Sequence, residues 1–393
     1  MSDSKITPLE QPAPVSVARR SVTLGLPAAD VAGERRFPLT PEGAAILAER
    51  GFEVMLESGA AEVIHFDDEA YRRAGARIVS RAEALGCDIV LHLPPVKAAD
   101  AARLKRGAVL LTLLHADTQE PRAVACLLEK HIIAIALDLI ADDDGNLPFA
   151  DALSEVDGRA AMILASSMLA DPLRGKGILL GGVSGVVPCE VTVIGSGIAA
   201  RAAAGTACGL GATVRLFDND VYDLREAVRW LGPGVIASAL HPRVFASALR
   251  TADVVIATPT RHYLEIGADM VAEMKRGVVA FDLTGRMGES PFPSLARIDV
   301  AADDPRYHRS SRLAACYVNV GSAVPRTAAM ALSTTLMTLL DDVLVSDGMT
   351  NALRFNSGLS RAVYTFMGKV TNADIARVAS CSAIDISLFL QFS

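Results

Sequence analysis

The chain has 393 residues, 51% hydrophobic and 21% charged, with a net charge of −7. This composition excludes a disordered chain, and the length exceeds what one core usually serves, so two domains are expected. The acidic balance, with no lysine or arginine run longer than a pair, argues against nucleic acid, since phosphate binding needs a clustered basic face.

Residues 1–20 are polar and proline-containing, without the basic-then-apolar order of a secretion signal, and read as a flexible arm. No stretch of eighteen apolar residues occurs, so no membrane partner is expected. Six scattered cysteines (Cys87, Cys126, Cys189, Cys208, Cys316 and Cys381) form no C-x-x-C pair, read as buried free thiols, and fit a cytoplasmic protein with no metal site.

In chain order, Ser21 to Leu26 reads as a strand. Pro41 to Arg50 reads as a helix, capped by Thr40 and opened by a proline. Glu53 to Glu57 is a strand and Asp67 to Ala74 a helix. CDIVLHL (87–93), ended by two prolines, AVLLTLL (108–114) and Ile132 to Leu139 are buried strands. DDDGN (142–146) is a turn at a domain edge, and a long helix runs from near Ser154 to Leu169. TVRLFD, DVVIATP and GVVAFDLTG are further strands. A long helix follows Pro325, then a smaller helical tail. Strands alternating with helices imply parallel sheets.

The segment VTVIGSGIAARAAAGTACGLGATVRLFDND (191–220) carries the sharpest signal. Gly195, Gly197 and Ala200 stand at G-x-G-x-x-A spacing between a strand and a helix. The first glycine allows the turn, the second lets backbone approach a pyrophosphate at the helix N-terminus, and the small third residue lets helix and strand pack closely. Asp218 ends the next strand about twenty residues on, where an acid holds ribose hydroxyls and repels a 2′-phosphate. NAD is therefore the expected cofactor. Arg215 argues the other way unless it lies on a solvated face, and a purely structural turn or a different nucleotide ligand stays open.

Beyond these residues the chain resembles the alanine dehydrogenase and pyridine nucleotide transhydrogenase family, from about Ser21 to Ala376. The resemblance is carried by GERRFPLTPEG (33–43), FEVMLESGA (52–60), FDDEAYRRAGARIV (66–79), LSEVDGR (153–159), GKGILLGGVSGV (175–186), the glycine turn, AVPRT (323–327) and GKVTNADIA (368–376). The opening is also similar to that of N5-carboxyethylornithine synthase. The resemblance implies an α/β protein of two doubly wound Rossmann-like domains with a cleft between them. The substrate domain would take 21–148 and 327–393, and the NAD-binding domain 149–326.

The same resemblance implies site residues. Arg36, in RFPLTP, matches an arginine that holds the substrate carboxylate; Arg35 competes, and a surface salt bridge is the plain alternative. His115, directly after AVLLTLL, matches a catalytic histidine, with a buried structural histidine as the alternative. Ser154 and Asn319 match positions near the cofactor. At the family's K-x-K-E-P lysines this chain has His92 and Pro94, with Lys97 beyond two prolines. In FDLTGRMGE (281–289), Asp282 matches one family aspartate, but Arg286 stands where a second lies near the nicotinamide. A cation there favours an anion over an ammonium. TPTRHYLEIG (258–267) shortens the loop at that edge and brings Arg261 and His262 to it.

Two functions follow from these residues. One is an NAD(H)-dependent oxidoreductase with a non-standard active site, acting on an amino acid, 2-oxo acid or imine, with His115, Arg36 and Arg286 in catalysis and a small carboxylate as substrate. The other is an NAD(H)-binding protein without hydride transfer, serving as sensor or partner subunit. The apolar tail after Ala376, the helix after Pro325 and the family's habit of forming dimers or hexamers suggest a homo-oligomer.

Overall fold

A computed structural model of the chain describes residues 22–261, 264–285, 290–301, 315–345 and 349–390. The N-terminal arm, His262 and Arg286 lie outside the described residues.

Strands β1 (Val22–Leu26), β2 (Phe52–Glu57), β3 (Arg77–Val79), β4 (Ile89–Leu91), β5 (Val109–Thr112) and β6 (Ile133–Ala136) pair in parallel. A second parallel sheet takes β7 (Glu190–Ile194), β8 (Thr213–Phe217), β9 (Val235–Ser238), β10 (Val254–Ala257), β11 (Val279–Asp282), β12 (Ala296–Asp299) and β13 (Ala315–Val318). The chain then returns, and β14 (Val363–Phe366) and β15 (Lys369–Val370) extend the first sheet beyond β6 as antiparallel strands. The spatial orders are β15-β14-β6-β5-β4-β1-β2-β3 and β12-β13-β11-β10-β7-β8-β9.

The central strands β4, β5, β10 and β11 are apolar runs buried on both faces, whereas the edge strands β3, β9 and β12 keep exposed positions. Successive residues point to opposite sides of a sheet. Ile89 and Leu91 therefore enter one apolar cluster and Val90 another. Val254 and Ile256 are likewise separated from Val255 and Ala257. Each sheet is covered on both faces, as parallel sheets require. Both reverse their order, at β1/β4 and at β7/β10, and the crevice outside the strand ends at such a reversal is the usual ligand site.

The connecting helix Pro148–Ala170 starts six residues before the expected Ser154. Pro148 occupies its first turn, where a missing N–H costs nothing. This helix crosses the glycine-turn helix Ile198–Gly209 at Gly158, where a Cβ atom would stand 2.2 Å from the carbonyl oxygen of Ala199. Alanines 199, 200, 202, 203, 204 and 207 of the second helix are buried and make that approach possible.

Two expectations need correction. The tail after Pro325–Val345 is not only helical, because the β-branched and aromatic run VYTF forms β14. Met367 and Gly368, with φ of 47° and 75°, close a two-residue hairpin between Phe366 and Lys369. All six cysteines are free, but only Cys87, Cys189 and Cys316 are buried, and Cys381 is exposed.

The packing at Gly158 gives a test. Gly158→Val should destabilise the protein by about 1–3 kcal/mol through overpacking, read as a lower midpoint of urea unfolding. An unchanged midpoint would mean that the two helices do not approach so closely.

Candidate functional site

The glycine turn follows β7 directly. Gly195 has φ of 101°, and a Cβ on it would lie 2.1 Å from Oγ1 of Thr258, so both conformation and space require glycine. Thr258 Oγ1 is itself committed, donating to the carbonyl of Ile194 at 2.8 Å. Gly197 caps the helix Ile198–Gly209 without any side-chain cap, and a Cβ on it would meet nothing within 4 Å. Unpaired N–H groups and the positive end of the helix dipole thus face open space, a cradle fit for a pyrophosphate. Ala200 is fully buried against the sheet, as close packing demands.

Asp218 is buried at the end of β8 and held from two sides. Ser196, the middle residue of the turn, donates Oγ–H to its Oδ2 at 2.6 Å, and the Asp220 N–H reaches Oδ1 at 3.0 Å. Arg201 donates from Nε to the Ser196 carbonyl at 2.8 Å. Arg215 is not at this position; it pairs with Glu190 at 3.3 Å. Arg261 differs from expectation. It crosses the turn to pair with Asp220 at 2.8 Å and Asp223 at 3.5 Å, beside the ribose end of the site. The sheet order explains this, because β7 separates β10 from β8 and a loop leaving β10 can span it.

A second group of polar residues collects at the ends of β1, β5 and β6 and on the connecting helix. Arg35 is exposed, whereas the Arg36 side chain is only 11% exposed. Glu34 grips Arg36 with both oxygens: Nε donates to Oε1 at 2.9 Å and Nη2 to Oε2 at 2.6 Å. The backbone N–H of Arg36 adds a bond to Oε1 at 2.8 Å. Burial opposes ionisation of Glu34, but the charge and hydrogen bonds of Arg36 outweigh it and keep the carboxyl below its ordinary range. Arg36 Nη1 makes no hydrogen bond among the described residues.

His115 follows β5 with φ of 36°, a left-handed turn that swings it out of the strand. The residue is exposed, yet the protein packed around its ring and then the charge of Arg36 hold its pKa below the ordinary range, against Asp138 and Glu34. Asp138 lies two residues past the Thr112–Ala136 pairing of β5 and β6, level with Leu114, and its Oδ1 accepts the Leu114 N–H at 2.8 Å. Burial raises its pKa. Asp157, on the connecting helix, faces Arg36 and the Gly321 N–H; burial pushes its carboxyl up to about 6.

The second sheet closes over this group. Asn319, at φ of 57° after β13, donates from Nδ2 to the Gly33 carbonyl at 2.7 Å. Ser322 Oγ lies 3.3 Å from Glu34 Oε1. Gly321 fits because a Cβ there would stand 2.3 Å from Asp157 Oδ1 and 3.9 Å from Arg36 Cδ.

The structure thus brings Arg36, His115 and Asn319 into one neighbourhood, while Gly195, Gly197, Ala200 and Asp218 lie at the ends of β7 and β8 in the second sheet. Ser154 is half-buried on the connecting helix, one turn before Asp157. Lys97 does not reach the group; it pairs with exposed Asp30 at 2.9 Å. His92 is buried, with Nδ1 2.7 Å from the Pro94 carbonyl oxygen and Nε2 without a partner among the described residues. Sequence reasoning assigned no role to Glu34, Asp138, Asp157 or Ser322. Asp138 carried a usable signal, an acid directly after an apolar strand, as at Asp218. Among the described residues no helix is long and apolar enough to cross a membrane.

Comparison with known proteins agrees with this geometry. Residues 25–157 match "Alanine dehydrogenase/PNT, N-terminal domain" and residues 161–373 "Alanine dehydrogenase/PNT, C-terminal domain". Alanine dehydrogenase of Staphylococcus saprophyticus is 32% identical over 94% of this chain and 100% of its own. That of Mycolicibacterium smegmatis is 31% identical over 93% and 99%. Among solved structures, an L-alanine dehydrogenase superposes with a TM-score of 0.80 at 24% identity, covering 91% of this chain and 98% of the other. A transhydrogenase from Sinorhizobium meliloti gives 0.71 at 21% identity, covering 89% and 99%. With both domains matched and the cofactor cradle intact, the chain belongs to the alanine dehydrogenase/PNT family of NAD(H)-dependent oxidoreductases.

Proposed function

We propose that this protein interconverts a small amino acid and its 2-oxo acid, or the related imine, with NAD(H), in the cleft between a substrate domain (21–148 with 327–393) and a cofactor domain (149–326). The observation that supports the reading is the convergence of Arg36 and His115 at the strand ends of the first sheet, in a chain whose second sheet carries an open cradle at Gly197. When bound, NAD(H) exchanges a hydride with the substrate's C2 atom.

The chain's own groups do the rest. Arg36, oriented by Glu34, offers Nη1 to the substrate carboxylate. After hydride leaves C2 of the neutral amine, water adds to the iminium carbon while neutral His115 takes one of its protons. His115 returns that proton to the nitrogen, and then accepts the hydroxyl proton as the C=O forms and ammonia departs. Gly195, Gly197 and Ala200 seat the pyrophosphate, Asp218 holds the ribose, and Ser154 and Asn319 flank the nicotinamide end. Arg286 would meet a second anionic group of the substrate. A homo-oligomer working in the cytoplasm completes the proposal.

One observation favours binding without turnover: Glu34 already fills two of the Arg36 donors. Assaying purified protein with NADH and a panel of 2-oxo acids, with and without ammonia, decides between the readings. Oxidation of NADH that depends on the oxo acid supports the dehydrogenase; tight NADH binding with no turnover under any pairing supports the other.

Three outcomes follow from the geometry. Gly197→Val should leave the fold intact, since a Cβ there has no neighbour within 4 Å, yet weaken NADH binding at least ~10-fold by filling the cradle; unchanged affinity in calorimetry would place the pyrophosphate elsewhere. His115→Ala should lower kcat by ~10²–10⁴ with little change in NADH affinity. Amino-acid oxidation needs neutral His115, so activity falls as pH drops through its pKa, and lowering that pKa moves the loss to more acidic pH. The acid limb of kcat/KM should therefore lie below the ordinary histidine value of about 6.5; a limb above it would contradict the role.

A further inference from the structure

The group around Arg36 holds more carboxyl groups than its one fixed cation pairs with. Glu34 and Arg36 compensate each other through two hydrogen bonds. Asp138 and Asp157 remain, beside a histidine whose surroundings favour its neutral form. A ligand bearing only a carboxylate would add to that excess. A ligand with an adjacent cationic nitrogen would relieve it.

The two spare carboxyls differ in position. Asp157 feels Arg36, Gly321 and Glu34, and Gly321 packs against its Oδ1. His115 is not among the groups that act on it, nor is Asp157 among those that act on His115. Asp138 lies level with Leu114 across the β5–β6 pairing and feels both His115 and Arg36. Its Oδ1 takes one backbone N–H, and its carboxyl makes no ion pair among the described residues. A half-buried carboxylate between a carboxylate anchor and a proton-transfer group, with no cation of its own, is an incomplete pair.

We propose that Asp138 is the specificity-determining residue that holds the substrate's ammonium or iminium group, while Arg36 holds its carboxylate. This rests on the reading that Arg36 and His115 frame the substrate. It assigns the cation-stabilising task to the end of β6, among the described residues.

The test uses two ligands that differ in one group, L-alanine and L-lactate, titrated calorimetrically into the complex of the full chain with NAD⁺. Wild type should bind L-alanine at least ~10-fold more tightly, the scale of one charge-assisted hydrogen bond. Asp138→Asn, which keeps an acceptor for the Leu114 N–H, should erase that preference and leave L-lactate binding nearly unchanged. Asp138→Glu should restore part of it. Equal binding of both ligands by wild type, absence of binding included, overturns the proposal. So does an Asp138→Asn protein that weakens both alike, or loss of the preference in Asp157→Asn instead. Turnover is not the readout, so a protein that binds L-alanine without oxidising it defeats the dehydrogenase reading and leaves the role of Asp138 measured.

Discussion

The cleft is organised by the two-pronged ion pair between Glu34 and Arg36. Their side chains are 7% and 11% exposed, so neither charge is well served by water. A planar guanidinium matched by two carboxylate oxygens recovers much of that desolvation. Removing one partner of such a buried pair typically costs ~3–5 kcal/mol, against ~1 kcal/mol for an ordinary hydrogen bond. The clasp from Asn319 to Gly33 and the approach of Ser322 to Glu34 are therefore secondary. They set the loop of the second sheet against a pair that already stands.

The segment that presents Arg36 is fastened on both sides. Phe37 and Leu39 are buried, Phe37 meets Tyr71 edge-on at 6.4 Å, and the Tyr71 hydroxyl donates to the Leu39 carbonyl at 2.6 Å. Thr40 then caps the next helix through the Gly43 N–H. With Phe37 anchored inward and Arg35 facing solvent, the guanidinium of Arg36 has its direction before any ligand arrives. That is the preorganisation a carboxylate anchor needs, because ordering a loose arginine on binding would cost affinity. At the same place Gly321 leaves room for Asp157, so the second sheet can come close only where it has no side chain.

Much of the fold could be read from the chain because its strands are short apolar runs separated by caps and glycine turns. Thr40, Pro41 and the G-S-G turn behave as local chemistry dictates. The hairpin of β14 and β15 was harder, since its two-residue turn is Met-Gly and the stretch is too short for periodicity to show. In the site, Gly195, Gly197 and Asp218 were legible because motif spacing is local. Asp157 was not, and Asp138 showed only as an acid after an apolar strand, without its neighbours. Their neighbours depend on the register between β5 and β6 and on where the connecting helix crosses Arg36, and no spacing along the chain encodes either. Glu34 sat inside a motif already marked, yet nothing in the sequence told whether its carboxylate would turn to Arg36 or to water.

The cofactor side shows how one local bond couples two motifs. Ser196 stands between the two glycines and also donates to Asp218, so the glycine turn and the acid that ends β8 are tied together by one hydrogen bond. Arg261 brings positive charge beside this acid, but Asp220 and Asp223 already neutralise it. A 2′-phosphate would have to draw Arg261 away from two carboxylates and lie against buried Asp218, whereas a free ribose hydroxyl needs only an oxygen of that carboxylate as acceptor. Selection for the unphosphorylated dinucleotide thus follows from where the cation is already spent, although an arginine is at hand.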